Sequence, residues 1–98
     1  MKSEETIEKM RGLLKESFHP LFIEIQNDTI KHIGHKGAQP GKGHFKLTMV
    51  SEKFEGKKLL EQHRMVKELL HPLFGTEMHA LQMNLYAPEE WKQKMKTH

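Results

Sequence analysis

The stretch HFKLTMVSEKFEGKKLLEQHRMV, residues 44–66, contains a strand, a turn and the first part of a helix. Apolar residues alternate with polar ones over residues 45–49, which predicts a half-buried strand. Residues 54–56 interrupt this pattern and end in a glycine, a residue typical of turns. A helical pattern then covers residues 57–70, so the stretch predicts a strand, a turn and then a long helix.

The predicted helix over residues 57–70 has two different faces. One face is expected to pack on the core, and we interpret its histidine as a packed side chain bonded to backbone. That face contains Leu59, His63, Val66 and Leu70. The other face alternates in charge and is expected to lie in solvent. It contains Lys57, Glu61, Arg64 and Glu68.

Further elements are predicted on both sides of this stretch. A first helix is expected to be capped by Ser3 and to end near His19, because Pro20 disfavours helical geometry in the residue before it. Alternation predicts strands over residues 21–26 and Met78–Tyr86. A last helix begins with a proline at residue 88 and is anchored to the core by a tryptophan at residue 91.

The order of these elements, α-β-β-α-β-α, predicts an α+β domain. Its three-stranded sheet should carry the helices on one side. The length of 98 residues predicts a single domain over residues 1–98, with its core at about residues 4–96. No apolar run is long enough to cross a bilayer, and the first residues lack the apolar segment of a secretory signal. We therefore expect a cytoplasmic protein, or a mitochondrial one if a presequence has been removed. We expect the isolated chain to be a monomer, because the core uses the apolar stripe of the first helix.

The connection between the first two strands, residues 28–43, is long and rich in glycine, lysine and histidine. Residues 29–51 contain four lysines and no acid, and without these lysines the chain has 12 basic and 13 acidic residues. The whole positive excess thus lies in one segment, which favours either an anionic partner or a solvated loop. The GHKG sequence at residues 34–37 resembles the loop of KH domains only weakly, because that loop joins two helices.

Histidines are the main candidates for chemistry, because the chain has no cysteine. Disulfides and a tetrathiolate zinc site are therefore excluded. His32, His35 and His44 lack zinc-finger spacing, so we expect one or two of them to complete a partner's metal site rather than to form a site alone. His79 is expected to share a strand face with Leu81 and its apolar neighbours, either half-buried or with one ring nitrogen exposed.

Catalysis is the minor hypothesis. Ser17 and Ser51 lack the surroundings of a nucleophile, and no carboxylate pair stands out in a predicted cleft. A hydrolase would rest on histidine abundance alone. We therefore expect a protein that is not an enzyme.

Residues 44–66, followed by MHALQMNLYAPEEW at residues 78–91, are similar to the BolA family. The resemblance extends from Ile7 to Trp91. It implies a class II KH-like fold, with a three-stranded sheet, helices packed on one face and the order α-β-β-α-α-β-α. The pieces that carry it are His44-Phe45, Val50-Ser51-x-x-Phe54-x-Gly56, His63-Arg64, His79-Ala80-Leu81 and Pro88-x-x-Trp91.

The resemblance implies a partnership with a monothiol glutaredoxin. The two proteins would share a [2Fe–2S] cluster, with glutathione, in iron–sulfur trafficking or iron regulation. The isolated chain would bind no cofactor. By resemblance His79 is a ligand, and the second ligand comes from the long loop as His32, with His35 as the alternative.

The resemblance also implies an alternative role as a DNA-binding regulator of transcription in the stress response. The residues expected to contact nucleic acid are Lys36, Lys42, Lys46, Arg64 and Lys67. Two features depart from the family pattern. Gln62 stands where the family often has an arginine, which predicts weaker nucleic-acid binding, and the loop is longer than in compact members.

Overall fold

A computed structural model describes residues 2–27 and 43–96. Within them lie three α-helices, three strands and two one-turn 3₁₀ helices, Glu52–Phe54 and His71–Leu73. With the second 3₁₀ helix counted, the order is α-β-β-α-α-β-α, as the family resemblance predicts. The main elements are α1 (Lys2–Phe18), β1 (Phe22–Asn27), β2 (Gly43–Val50), α2 (Leu59–Leu70), β3 (Met78–Tyr86) and α3 (Pro88–Lys96).

The three strands form one mixed sheet in the order β1-β2-β3. β1 runs antiparallel to the central strand β2, whereas β3 runs parallel to it and forms an edge. β3 has the predicted bounds, and β1 begins and ends one residue later than predicted. β2 is longer than predicted at both ends, because its pairing with β3 extends from Gly43 to Val50.

One face of the sheet and two helices enclose the core. Phe45, Leu47 and Met49 alternate along β2 and are at most 2% exposed. From α1, Met10 and Leu14 are fully buried against this face. Since alternate residues of a strand point to opposite faces, the sequence pattern identifies this core face correctly. The predicted α+β class is confirmed.

Both long helices differ from their predictions at one end. α1 begins at Lys2, so Ser3 lies inside the first turn rather than capping it. α2 begins at Leu59, and that leucine is 63% exposed instead of packed on the core. Gln62 is only 3% exposed, and its Nε2 donates hydrogen bonds to the carbonyls of Phe54 and Lys57. The side chain of Gln62 thus joins the start of α2 to the preceding turn, and it is buried in place of the predicted His63, whereas Val66 and Leu70 are buried as predicted.

The opposite face of the sheet is polar, except at one end. There Phe22, Val50 and Tyr86 form one row across the three strands. The Trp91 ring of α3 stacks on Phe22 with ring centres 5.2 Å apart, and it also contacts Tyr86. Trp91 therefore anchors α3 as predicted, but it packs on the aromatic end of the face opposite the core. The remainder, which we call the open face, carries the side chains of Glu24, Gln26, His44, Lys46, Thr48, Gln82 and Asn84.

Candidate functional site

A β-bulge at the start of β3 decides where His79 lies. Gly43 pairs with Met78, and the next residue of β2, His44, pairs with Ala80. His79 is therefore the extra residue, without an opposite number on β2. The bulge shifts the alternation by one residue, so Met78 is fully buried while His79 is exposed. The prediction that His79 shares the core-facing side with Leu81 is wrong for this reason.

The bulge places the imidazole of His79 beside that of His44. Their ring centres are 5.3 Å apart, and the ring planes meet at 56°. His44 is half-buried and lies on the open face, two residues before Lys46. Sequence reasoning grouped His44 with His32 and His35 and did not pair it with His79. Its position in the alternation of β2 was the available signal, but only the parallel pairing of β2 with β3 brings the two histidines together.

Four of the predicted site residues lie outside the described residues: His32, His35, Lys36 and Lys42. Their assignments as loop ligands and as nucleic-acid contacts remain predictions. Within residues 2–27 and 43–96, no group of three or more histidine, aspartate or glutamate side chains is placed to hold a metal ion. The histidine pair therefore offers two donors, and any further ligand would come from elsewhere.

A groove of about 860 Å³ runs between α2 and the edge strand β3. Apolar side chains from several elements line it, namely Leu60, Phe74, Leu81 and Met83. Arg64 and Lys67 of α2 also line it, with His63, His71 and one acid, Glu68. His63 is half-buried in this groove. The groove thus combines an apolar lining with a mainly basic one, which suits an anionic partner.

The predicted nucleic-acid contacts are divided between two surfaces. Arg64 and Lys67 line the groove, whereas Lys46 lies on the open face near Thr48 and Gln82. Gln62, which stands where the family often has an arginine, is buried, and its amide donates hydrogen bonds to backbone carbonyls. The weaker nucleic-acid binding expected from this departure stays a prediction.

The chain is similar to known proteins of one family. A family model described as BolA-like protein matches residues 14–90. The chain belongs to the BolA family. A BolA-like protein from Dictyostelium discoideum is 37% identical over 90 residues, which cover 91% of this chain and 76% of that protein.

One further sequence relative and one solved structure are similar to this BolA-like chain. The DNA-binding transcriptional regulator BolA of Escherichia coli is 32% identical over 85 residues, covering 87% of this chain and 78% of that protein. The BolA domain of SufE1 from Arabidopsis thaliana has 30% identity and a TM-score of 0.75, covering 85% of this chain and 92% of that domain. The neighbours thus include a protein named for DNA binding and a domain of a SufE protein.

Several residues that carry the BolA resemblance have structural roles here. The Ser51 hydroxyl donates to the carbonyl of Phe18 at 2.7 Å and accepts from the amide of Lys53 at 3.1 Å. Phe54 is fully buried with its ring against Phe18, and Gly56 adopts a φ of 74°. The Ser51 hydroxyl is thus engaged with the backbone in a buried position.

No helix in the part of the chain that the structure describes is long and apolar enough to span a membrane.

Proposed function

We propose that this BolA-like chain is a non-enzymatic adaptor that partners a monothiol glutaredoxin and co-ligates a [2Fe–2S] cluster. The observation that carries the proposal is the position of His79. The bulge puts this histidine at the surface, beside a second imidazole, at one end of the sheet. A partner that brings thiolates can reach it there.

The donor chemistry of the chain fits such a shared cluster. The chain has eight histidines and no cysteine, so it can offer imidazole nitrogen but no thiolate. A cluster with histidines on one iron and thiolates on the other has a higher reduction potential than an all-thiolate cluster. His79 would bind one iron, while glutaredoxin and glutathione supply the thiolates. The family resemblance assigns the second imidazole to His32, with His35 as the alternative.

Anaerobic reconstitution tests this function. The chain is mixed with a monothiol glutaredoxin, glutathione, iron and sulfide, and the visible CD spectrum is compared with that of glutaredoxin alone. We expect a new spectrum and a 1:1 complex on a sizing column, and we expect His79→Ala to abolish the new spectrum. His71→Ala is the matched control, because it removes another exposed histidine that lies in the groove. A wild-type spectrum identical to that of glutaredoxin alone, with no complex, would refute the proposal.

A second function, DNA binding, is favoured by a different observation. The groove between α2 and β3 collects Arg64, Lys67 and two histidines around one acid. The Escherichia coli relative is named as a DNA-binding regulator. Contacts to several phosphates would make the affinity for duplex DNA fall by about an order of magnitude or more between low and physiological salt. Fluorescence anisotropy over a salt series measures this, and salt-independent binding would exclude the groove as a phosphate site.

A further inference from the structure

We infer that His44 supplies the second imidazole of the shared site, so that His44 and His79 bind the same metal. This assignment rests on the proposed function and departs from the loop ligands that the family resemblance implies. The two side chains come from neighbouring parallel strands of a sheet, which is a rigid support. A metal-binding pair on such a support is already built before a partner arrives.

The distance between the rings suits a single metal. Imidazoles that bind one tetrahedral ion through a ring nitrogen do so at about 2.0–2.1 Å, which places the two ring centres roughly 5 Å apart. The observed separation is 5.3 Å. The planes meet at 56°, so the rings are neither stacked nor coplanar. The separation is therefore compatible with one nitrogen from each ring binding a common metal ion.

The bulge gives the pair its geometry. Without the extra residue, His79 would lie on the same face as Leu81 and would point into the core. The bulge instead exposes His79 while Met78 takes the buried position. Bulges often redirect a side chain at a functional site, and they cost regular pairing in the sheet. A role for His79 together with its neighbour on β2 explains why the irregularity occurs at this residue.

The charge around the pair favours a thiolate-bearing centre over a bare cation. Lys46 lies two residues beyond His44 on the open face, at about 7 Å along the strand. Its ammonium group would repel a divalent ion but attract a cluster whose sulfides and thiolates give it net negative charge. The ligand class is thus an anionic iron–sulfur centre carried by a partner's thiolates.

Counting nitrogen ligands tests the assignment directly. The chain is labelled with ¹⁵N in its histidines only, assembled with unlabelled glutaredoxin and glutathione, and reduced for pulsed EPR. We expect two ¹⁵N couplings in the wild type and one in His44→Phe. Phenylalanine keeps a ring against His79 but removes the nitrogen, so a residue that only positions His79 would leave both couplings in place. His32→Ala and His35→Ala should each retain two couplings.

The possible results separate the inference from the proposed function. Two couplings in His44→Phe, with one lost in His32→Ala or His35→Ala, would overturn the role of His44 while leaving the adaptor function intact. A wild-type chain that forms no cluster with glutaredoxin would overturn both. His44→Gln serves as a second variant if phenylalanine disturbs the fold, as judged by far-UV CD and the Tm of the apo chain. A folded His44 variant that binds glutaredoxin but holds no cluster would support the assignment.

Discussion

Ser51 shows how a single side chain can hold three elements together. It lies at the end of β2, accepts a hydrogen bond from the first 3₁₀ helix and donates one to the last residue of α1, Phe18. The serine is fully buried. Buried hydroxyls that satisfy backbone groups contribute more to stability than exposed ones, because their removal leaves those groups without partners.

Ser51→Ala should therefore lower the free energy of unfolding by about 1–3 kcal/mol, since it removes a cap and leaves the Phe18 carbonyl unsatisfied. Urea denaturation measures the change. Ser17→Ala is the matched control, because Ser17 is exposed on α1 and its loss should change stability by about 0.5 kcal/mol or less. Equal effects of the two substitutions would contradict this account of Ser51.

Gln62 supports the start of α2 in a similar way. Gln62→Leu should lower the free energy of unfolding by about 1–3 kcal/mol, because the carbonyls of Phe54 and Lys57 both lose their hydrogen bond from Nε2 of Gln62. The same substitution at Gln93, which is exposed on α3, provides the control for adding a leucine to a helix. Thermal and urea unfolding of both variants measure the change in the free energy of unfolding. A Gln62→Leu variant as stable as the wild type would show that these hydrogen bonds contribute nothing net.

At this scale, sequence reasoning succeeded where a side chain is apolar and failed where it is polar. Val66 and Leu70 were predicted in the core, and both are fully buried. Gln62 was not, because hydrophobic periodicity carries no information about a side chain that is buried to bond backbone carbonyls. The same limit made Leu59 look like a core residue, although it is exposed at the first turn of α2.

At the scale of the secondary-structure elements, the bulge between β2 and β3 determines the position of His79 in the candidate site. The bounds of β3 were predicted correctly from its alternation, but the facing of its first residues was not. A bulge adds one residue without changing composition, so a period of two cannot reveal it. The pairing of β2 with β3 is equally invisible in the sequence of either strand. The identity of His79 as a candidate could be read from the sequence by resemblance, but its neighbour His44 required the topology.

Gly43 is the residue on β2 where the bulge begins, and it has no room for a side chain. A Cβ atom there would overlap the ring of Phe45. Gly43→Ala should therefore displace that ring, lower the free energy of unfolding by about 1–3 kcal/mol and shift the imidazole resonances of His44 and His79. Denaturation and histidine side-chain NMR measure these effects.

Gly12→Ala is the matched control, and we expect it to raise the stability of the protein rather than lower it. Gly12 is exposed inside α1, and a Cβ atom there would meet nothing within 4 Å. The substitution should stabilise the protein by up to about 1 kcal/mol, because alanine favours helix. If Gly43→Ala were also stabilising, with unchanged histidine resonances, the close packing at the bulge would not be needed to place the pair.

At the scale of the whole molecule, the two proposed activities use different surfaces. The groove between α2 and β3 contains Arg64 and Lys67, whereas neither His44 nor His79 lines it. The α+β class and the element order were predictable, because apolar periodicity and turn residues determine them locally. The division of the basic residues between the groove and the open face was not, since it depends on how α2 packs against an edge strand.

This division predicts that DNA binding and cluster binding can be separated by mutation. Arg64→Ala and Lys67→Ala should each reduce the slope of log affinity against log salt by about 0.9, the value for one phosphate contact. Lys46→Ala removes the same charge from the open face and should leave the slope unchanged. Anisotropy titrations of all three variants measure the slopes, and the visible CD of the reconstituted complex should be the same for Arg64→Ala, Lys67→Ala and wild type. An equal loss of slope in Lys46→Ala would place the phosphates on the open face, where they would compete with a partner at His44 and His79.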